Sequence, residues 1–202
     1  MCGSIQFRKA LYSNPPSPAS ARTWMPDLMK EYDDLQLKLL GLNIFIRTVF
    51  PGSPFFATTL NMGPQTVCFA HRDYWNLLYG TCGIGALGPF DHHTGGHLIL
   101  HEPKVIMEFR RGDVIWVPSA AVTHENVPIK PHETRYSFTM YTAGGLFRYA
   151  WCGGMTAKDM KQKDKVTYQR YLSEGDSRRK QGWDLYSTMD SLVASLKSNA
   201  SN

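Results

Sequence analysis

The sequence predicts a mainly β fold with flanking helices. Three observations carry this: a dense series of short β-rich runs through the middle of the chain, amphipathic helical spacing on either side, and neither an internal repeat nor an interdomain linker. The runs are NIFIRTVF (43–50), TVCFAH (66–71), TCGIGALG (81–88), HLILHE (97–102), VIMEF (105–109), DVIWVPS (113–119) and RYSFTMYTA (135–143), separated by Gly, Pro and Asn. So many strands in so short a stretch indicate an antiparallel sandwich or barrel.

Taken in order, residues 1–23 read as a flexible Pro/Ser-rich arm without the apolar core of a secretory signal. From residue 24 to residue 202 we expect a single domain. Its first element is a helix over 24–40, where Leu28, Tyr32, Leu35 and Leu39 recur at helical spacing and Gly41 is a stop. The β-core spans about 43–150. Helices return at about 156–173 and 184–197, within a basic C-terminal segment, 156–197.

The chain has 202 residues, 43% of them hydrophobic, and no apolar run near the roughly 18 residues of a membrane span. The four cysteines, Cys2, Cys68, Cys82 and Cys152, form no C-x-x-C pair. A disulfide framework and a cysteine zinc site are therefore not expected, and an intracellular chain fits. The net charge is +5. Between Thr156 and Trp183 it is concentrated as Lys158, Lys161, Lys163, Lys165, Arg170, Arg178, Arg179 and Lys180 against Asp159, Asp164, Glu174 and Asp176. Such a face suits a polyanion, or is simply a solvated helix surface.

Two motifs are decoys. Gly83-Ile-Gly85-Ala-Leu-Gly88 matches a dinucleotide fingerprint, but a turn, Pro89-Phe90-Asp91, follows where a helix is needed to meet a pyrophosphate. Small residues in a crowded strand explain it better. His71-Arg72-Asp73 matches the kinase catalytic loop, but Asn76 is too close behind it and no D-F-G or A-P-E follows. The histidines of DHHTGGHLILH (92, 93, 97 and 101) cannot share a helix across Thr94-Gly95-Gly96. In a turn followed by a strand, His97 and His101 share a face, and surface histidines are expected rather than a second metal site.

One constellation survives. His71 and Asp73 alternate at a strand end, so both point to one face. His124 follows the strand DVIWVPS, and Arg135 opens the strand RYSFTMY. Two imidazoles and one carboxylate make a facial triad for Fe(II), leaving three positions for a bidentate cosubstrate and O2. A buried guanidinium at 135 pairs bidentately with a carboxylate such as that of 2-oxoglutarate. The order His-x-Asp, His, Arg in a β-rich chain points to an Fe(II)/2-oxoglutarate oxygenase on a double-stranded β-helix, the jelly-roll or cupin-like architecture.

These residues also carry a resemblance. His71-Arg72-Asp73 with Asn76, His124-Glu125-Asn126, and Arg135-Tyr136-Ser137 leading to Tyr141 resemble the TET/JBP nucleobase dioxygenases. Leu60-Asn61 to Asn76, Gly95-Gly96-His97-Leu98, Pro118-Ser119 and Thr134 to Gly145 resemble its compact fungal branch. The resemblance spans roughly 43–150. It implies iron- and 2-oxoglutarate-dependent oxidation of 5-methylcytosine or thymine in DNA, or of N6-methyladenine, stepwise in many members.

Carried over, His71, Asp73 and His124 bind iron, Arg135 with Ser137 holds 2-oxoglutarate, Asn76 contacts a flipped base and Tyr141 stacks on it. Animal members have a His where this chain has Ala143, so recognition of the base edge differs here. Asn61 and Arg47 are further pocket candidates, and Asp113 shapes a turn. Lys158, Lys161, Lys163, Arg178, Arg179 and Lys180 are candidate contacts to the DNA backbone. The expected partner is DNA carrying a modified base, acted on by a monomer in the nucleus, with no membrane. Two rivals stay open: the same chemistry on a small molecule or protein, and a non-catalytic β-barrel binding module.

Overall fold

A computed structural model of the chain describes residues 18–42 and 46–199. The contacts group the described residues into two compact units, one over 47–145 and the other formed by 18–42, residue 46 and 146–199.

The first unit is the β-core. Its strands are β1 (Ala57–Asn61), β2 (Cys82–Leu87), β3 (Leu98–Leu100), β4 (Val105–Met107), β5 (Val114–Val117), β6 (His124–Asn126) and β7 (Tyr136–Tyr141). Four of them form a sheet in the order β1-β7-β2-β5 and three a second in the order β4-β3-β6, all antiparallel. The run at 66–71 is extended rather than a continuous strand. It joins β6 through a single antiparallel bridge between His71 and His124. The chain thus alternates between the sheets along its length, doubling back within one sheet only at β3–β4. This is a double-stranded β-helix, and it bears out the predicted fold class.

Between the sheets, Cys82, Ile84, Ala86, Leu98, Phe109 and Val117 make a buried cluster that Phe90, Ile115 and Tyr141 pack against. The glycines of β2 serve the other face of its sheet. Gly83 lies opposite Trp116 and Gly85 opposite Phe138. A Cβ on Gly83 would sit 2.5 Å from the Trp116 ring, and one on Gly85 2.1 Å from Phe138. The aromatic rings lie over the bare glycine backbone, as the crowded-strand reading expects.

Three expectations need correction. Residues 46–48 are irregular and 49–50 form a bend, rather than the strand expected over 43–50, of which 43–45 lie outside the described residues. The strands at β1 and β6 were not anticipated: Ala57–Asn61 has little apolar alternation, and His124–Asn126 is polar throughout. The arm expected over 1–23 is helical at its described end.

The second unit is helical: α1 (Ala19–Trp24), α2 (Pro26–Gly41), α3 (Gly144–Trp151), α4 (Ala157–Lys163), α5 (Lys165–Ser173), α6 (Gly175–Trp183) and α7 (Met189–Asn199). Pro26 opens α2 at its first position, where no N–H is needed, and Leu28, Tyr32, Leu35 and Leu39 are buried as their spacing predicts. Tyr32 meets Phe147 of α3 edge-on, with ring centroids 5.3 Å apart. Thr156 and Asp164 cap α4 and α5 by accepting the backbone N–H three residues on.

Candidate active site

The bridge between His71 and His124 builds the site. Each backbone N–H donates to the other's carbonyl, at 3.1 and 3.0 Å. The two imidazoles are thereby brought to a centroid separation of 4.4 Å. Asp73, whose backbone N–H donates to the Ser119 carbonyl at 2.9 Å, places Oδ1 3.7 Å from His71 Nε2. One ligand atom from each of His71, Asp73 and His124 lies within 4.8 Å of the others.

The histidines use the same device to choose a tautomer. His71 Nδ1 lies 2.7 Å from the Phe69 carbonyl and His124 Nδ1 3.0 Å from the Val122 carbonyl. A carbonyl only accepts, so both Nδ1 atoms carry the proton and both Nε2 lone pairs are left for a metal. Burial, and then the neighbouring His71, push His124 below the ordinary imidazole value, against the Val122 carbonyl. His124 is thus kept neutral, the form that ligates. The donor set, two Nε2 atoms and one carboxylate oxygen on adjacent backbone, fits Fe(II).

Asn76 holds Asp73, and Arg72 points to the opposite side of the chain. Asn76 Nδ2 donates to Asp73 Oδ2 at 3.3 Å and to Ser119 Oγ at 3.2 Å. Oδ1 is left for the metal and Oδ2 is held. Arg72 faces away: its Nε donates to Thr123 Oγ1 at 2.9 Å, and its guanidinium pairs with Glu102. Glu102 in turn accepts from the Thr123 backbone N–H at 2.7 Å. Thr123 and Arg72 together hold the Glu102 carboxyl well below its usual range, at about 2. The tasks of Arg72, Glu102, Thr123 and Ser119 are not legible in the sequence; the positions of Arg72 and Thr123 beside ligands are the signal it offers.

Arg135 is 2% exposed. Its guanidinium lies over the rings of Phe90 (5.9 Å) and Phe109 (5.6 Å), and Nη1 donates to the Thr66 carbonyl at 3.4 Å. Its Nε is buried with no hydrogen-bond partner among the described residues. Desolvation lowers its pKa. A buried guanidinium so poorly matched within the chain fits an incoming carboxylate. The donor set and this orphaned nitrogen together fit Fe(II) and 2-oxoglutarate as cofactors.

A cavity of about 490 Å³ joins these groups, lined by the triad, Arg135, Ser137, Asn76 and Tyr141 among others. Ser137 is buried and accepts from Asn61 Nδ2 at 2.9 Å, so Asn61 also lines the cavity. The Tyr141 hydroxyl lies 3.3 Å from Thr59 Oγ1. Arg47 is exposed and lies outside this lining, and exposed Asp113 sits in a turn, its N–H donating to the Arg110 carbonyl. Cys68 is a half-buried free thiol on the cavity wall; Cys82 and Cys152 are buried. His101 is paired with Glu125 at 3.0 Å.

The C-terminal basic residues belong to the helical unit. Lys158, Lys161 and Lys180 are exposed, whereas Lys163 pairs with Asp159 and Arg179 with Asp176. Arg178 is half-buried, stacked over Trp151 and Tyr171 and donating to the Tyr171 carbonyl, so it acts within the unit.

No protein-family model matches the chain, and no curated protein matches it. Among solved structures, it is similar to a viral collagen prolyl hydroxylase from Paramecium bursaria Chlorella virus-1, in complex with 2OG. The identity is 14% and the TM-score 0.30, over 43% of this chain and 60% of that one, less than two thirds of its length. At that level the likeness adds nothing to the topology described above.

Proposed function

We propose that the chain is an Fe(II)/2-oxoglutarate-dependent dioxygenase, and that it oxidises the methyl group of a modified base flipped out of DNA. The observation that carries the first part is the convergence of His71, Asp73, His124 and Arg135, with its orphaned Nε, on one cavity. When bound, iron with 2-oxoglutarate supplies an oxidant able to take hydrogen from an unactivated methyl group. The chain's own residues do the rest. His71 and His124 present Nε2, Asn76 keeps the Asp73 carboxylate turned, and Arg135 with Ser137 receives the distal carboxylate of the cosubstrate. The apolar walls around Arg135 exclude water and strengthen that pairing.

The base substrate is supported by the resemblance to nucleobase dioxygenases and by the cavity rim. Tyr74 and Trp75, directly after Asp73, line the cavity yet are 77% and 89% exposed. Flat rings held in water beside a reactive centre suit stacking on a planar substrate, as does Tyr141 within. Five-methylcytosine is the first candidate base, with N6-methyladenine and thymine as alternatives. Such a substrate also implies a nuclear location. No helix among the described residues is long and apolar enough to cross a membrane.

The test is mass spectrometry of nucleosides after incubation with DNA containing each of the three bases, Fe(II) and 2-oxoglutarate. Formation of 5-hydroxymethylcytosine is expected. Succinate formation stimulated by a small molecule or protein, with every base unchanged, would favour that other substrate class.

A further inference from the structure

We propose that the turn after β2 and the residue following β4 form a second metal site, for Zn2+, made by Asp91, His92, His93 and Glu108. None of these four residues lines the cavity of the first site.

The turn gathers the ligands. The N–H groups of Thr94 and Gly95 both donate to the Asp91 carbonyl at 3.1 Å, folding the chain so that the adjacent His92 and His93 rings lie 4.0 Å apart. Asp91, His92 and His93 each offer a ligand atom, all within 4.8 Å of one another. Directly after β4, Glu108 sets Oε1 3.4 Å from His93 Nδ1 and Oε2 3.7 Å from His92 Nε2.

The first of these separations is a long hydrogen bond and the second is too long for one. They match the edge of a zinc tetrahedron, roughly 3.4 Å for ligands about 2.0–2.1 Å from the ion. His92 Nε2 is the second sign: it is buried and has no hydrogen-bond partner among the described residues. The Asp91 carboxylate is already aimed, Oδ1 accepting from the His93 N–H and Oδ2 from the Thr94 hydroxyl, both at 3.1 Å, with Lys130 Nζ 3.8 Å from Oδ2. Each oxygen retains a lone pair.

The site's neighbours give it a role. Phe90 precedes Asp91 and Phe109 follows Glu108, and these two rings hold the Arg135 guanidinium. An ion joining 91–93 to 108 ties together both walls of the Arg135 cradle.

The experiment is calorimetric titration of the full chain with Zn2+. The wild-type chain is expected to take up two equivalents, and the His71→Ala/Asp73→Ala chain one. Adding His93→Ala and Glu108→Gln should remove that remaining equivalent. These last two residues are exposed, and metal-free melting curves check the fold. In wild type, the same two substitutions should leave one equivalent, which covers the case where loss of the triad disturbs folding. Zn2+ should also slow amide exchange at 88–95 and 105–110. Wild-type uptake that His93→Ala/Glu108→Gln leaves unchanged, whether of one equivalent or of two, overturns the proposal.

Discussion

The Nε of Arg72 donates to the Thr123 hydroxyl at 2.9 Å, behind the plane in which their neighbours His71, Asp73 and His124 converge. With Glu102 bound to both, this outer clasp fixes the spacing of the two ligand-bearing segments before any metal arrives. Arg72→Ala should lower Fe(II) affinity about ten- to a hundredfold, the usual cost of losing a group that orients ligands. Arg72→Lys should not restore it, because a single ammonium cannot span Thr123 and Glu102. Competition titration with Mn2+ followed by electron paramagnetic resonance measures this. Affinity unchanged by Arg72→Ala removes the clasp from the account.

Arg135 is the second lever. Arg135→Met keeps a long side chain between Phe90 and Phe109 and relieves a desolvated charge, so the fold should survive. The KM for 2-oxoglutarate should rise about ten- to a hundredfold, from the worth of a hydrogen bond to a charged group. Succinate formation against cosubstrate concentration reads it out.

The Gly–aromatic pairs of β2 set a stability prediction. Gly85→Ala drives a methyl group into the Phe138 ring and should cost about 1–3 kcal/mol, the range for overpacking. In a chain of this size that lowers Tm by roughly 2–4 °C per kcal/mol. Gly85→Ala with Phe138→Leu should recover part of the loss, since the smaller side chain vacates the space. Thermal unfolding of the metal-free protein decides it.

His124 predicts a pH dependence. Its folded-state pKa lies below that of a free imidazole, chiefly through burial. The unfolded chain therefore binds the proton more readily, and the neutral ring's contribution to stability is complete above about pH 6.5. It is lost as pH falls from there through the lowered value. The metal-free protein should become less stable in urea between pH 7.5 and pH 5, and His124→Gln should flatten that slope.

Much of this was legible in the sequence, for identifiable reasons. His124 and Arg135 carry side chains that are costly to bury in a β-core without a task, and the two-residue period of a strand end places His71 and Asp73 on one face. The helix at α2 was legible from the spacing of Leu28, Tyr32, Leu35 and Leu39. What escaped depends on pairing rather than pattern. His124–Asn126 is a strand only because Leu98–Leu100 and His71 lie beside it. The task of Arg72 depends on Glu102, thirty residues away. Asn76 read as a base contact, yet its amide nitrogen is engaged by Asp73 and Ser119, partners that spacing alone does not disclose.

The most direct test of the central claim is succinate formation from 2-oxoglutarate by the chain with Fe(II), O2 and methylated DNA. The expectation is iron-dependent succinate from the wild-type chain and none above background from Asp73→Ala, with metal-free melting curves of the two chains compared to check the fold. Equal succinate from both chains, or none from the wild type, would contradict it.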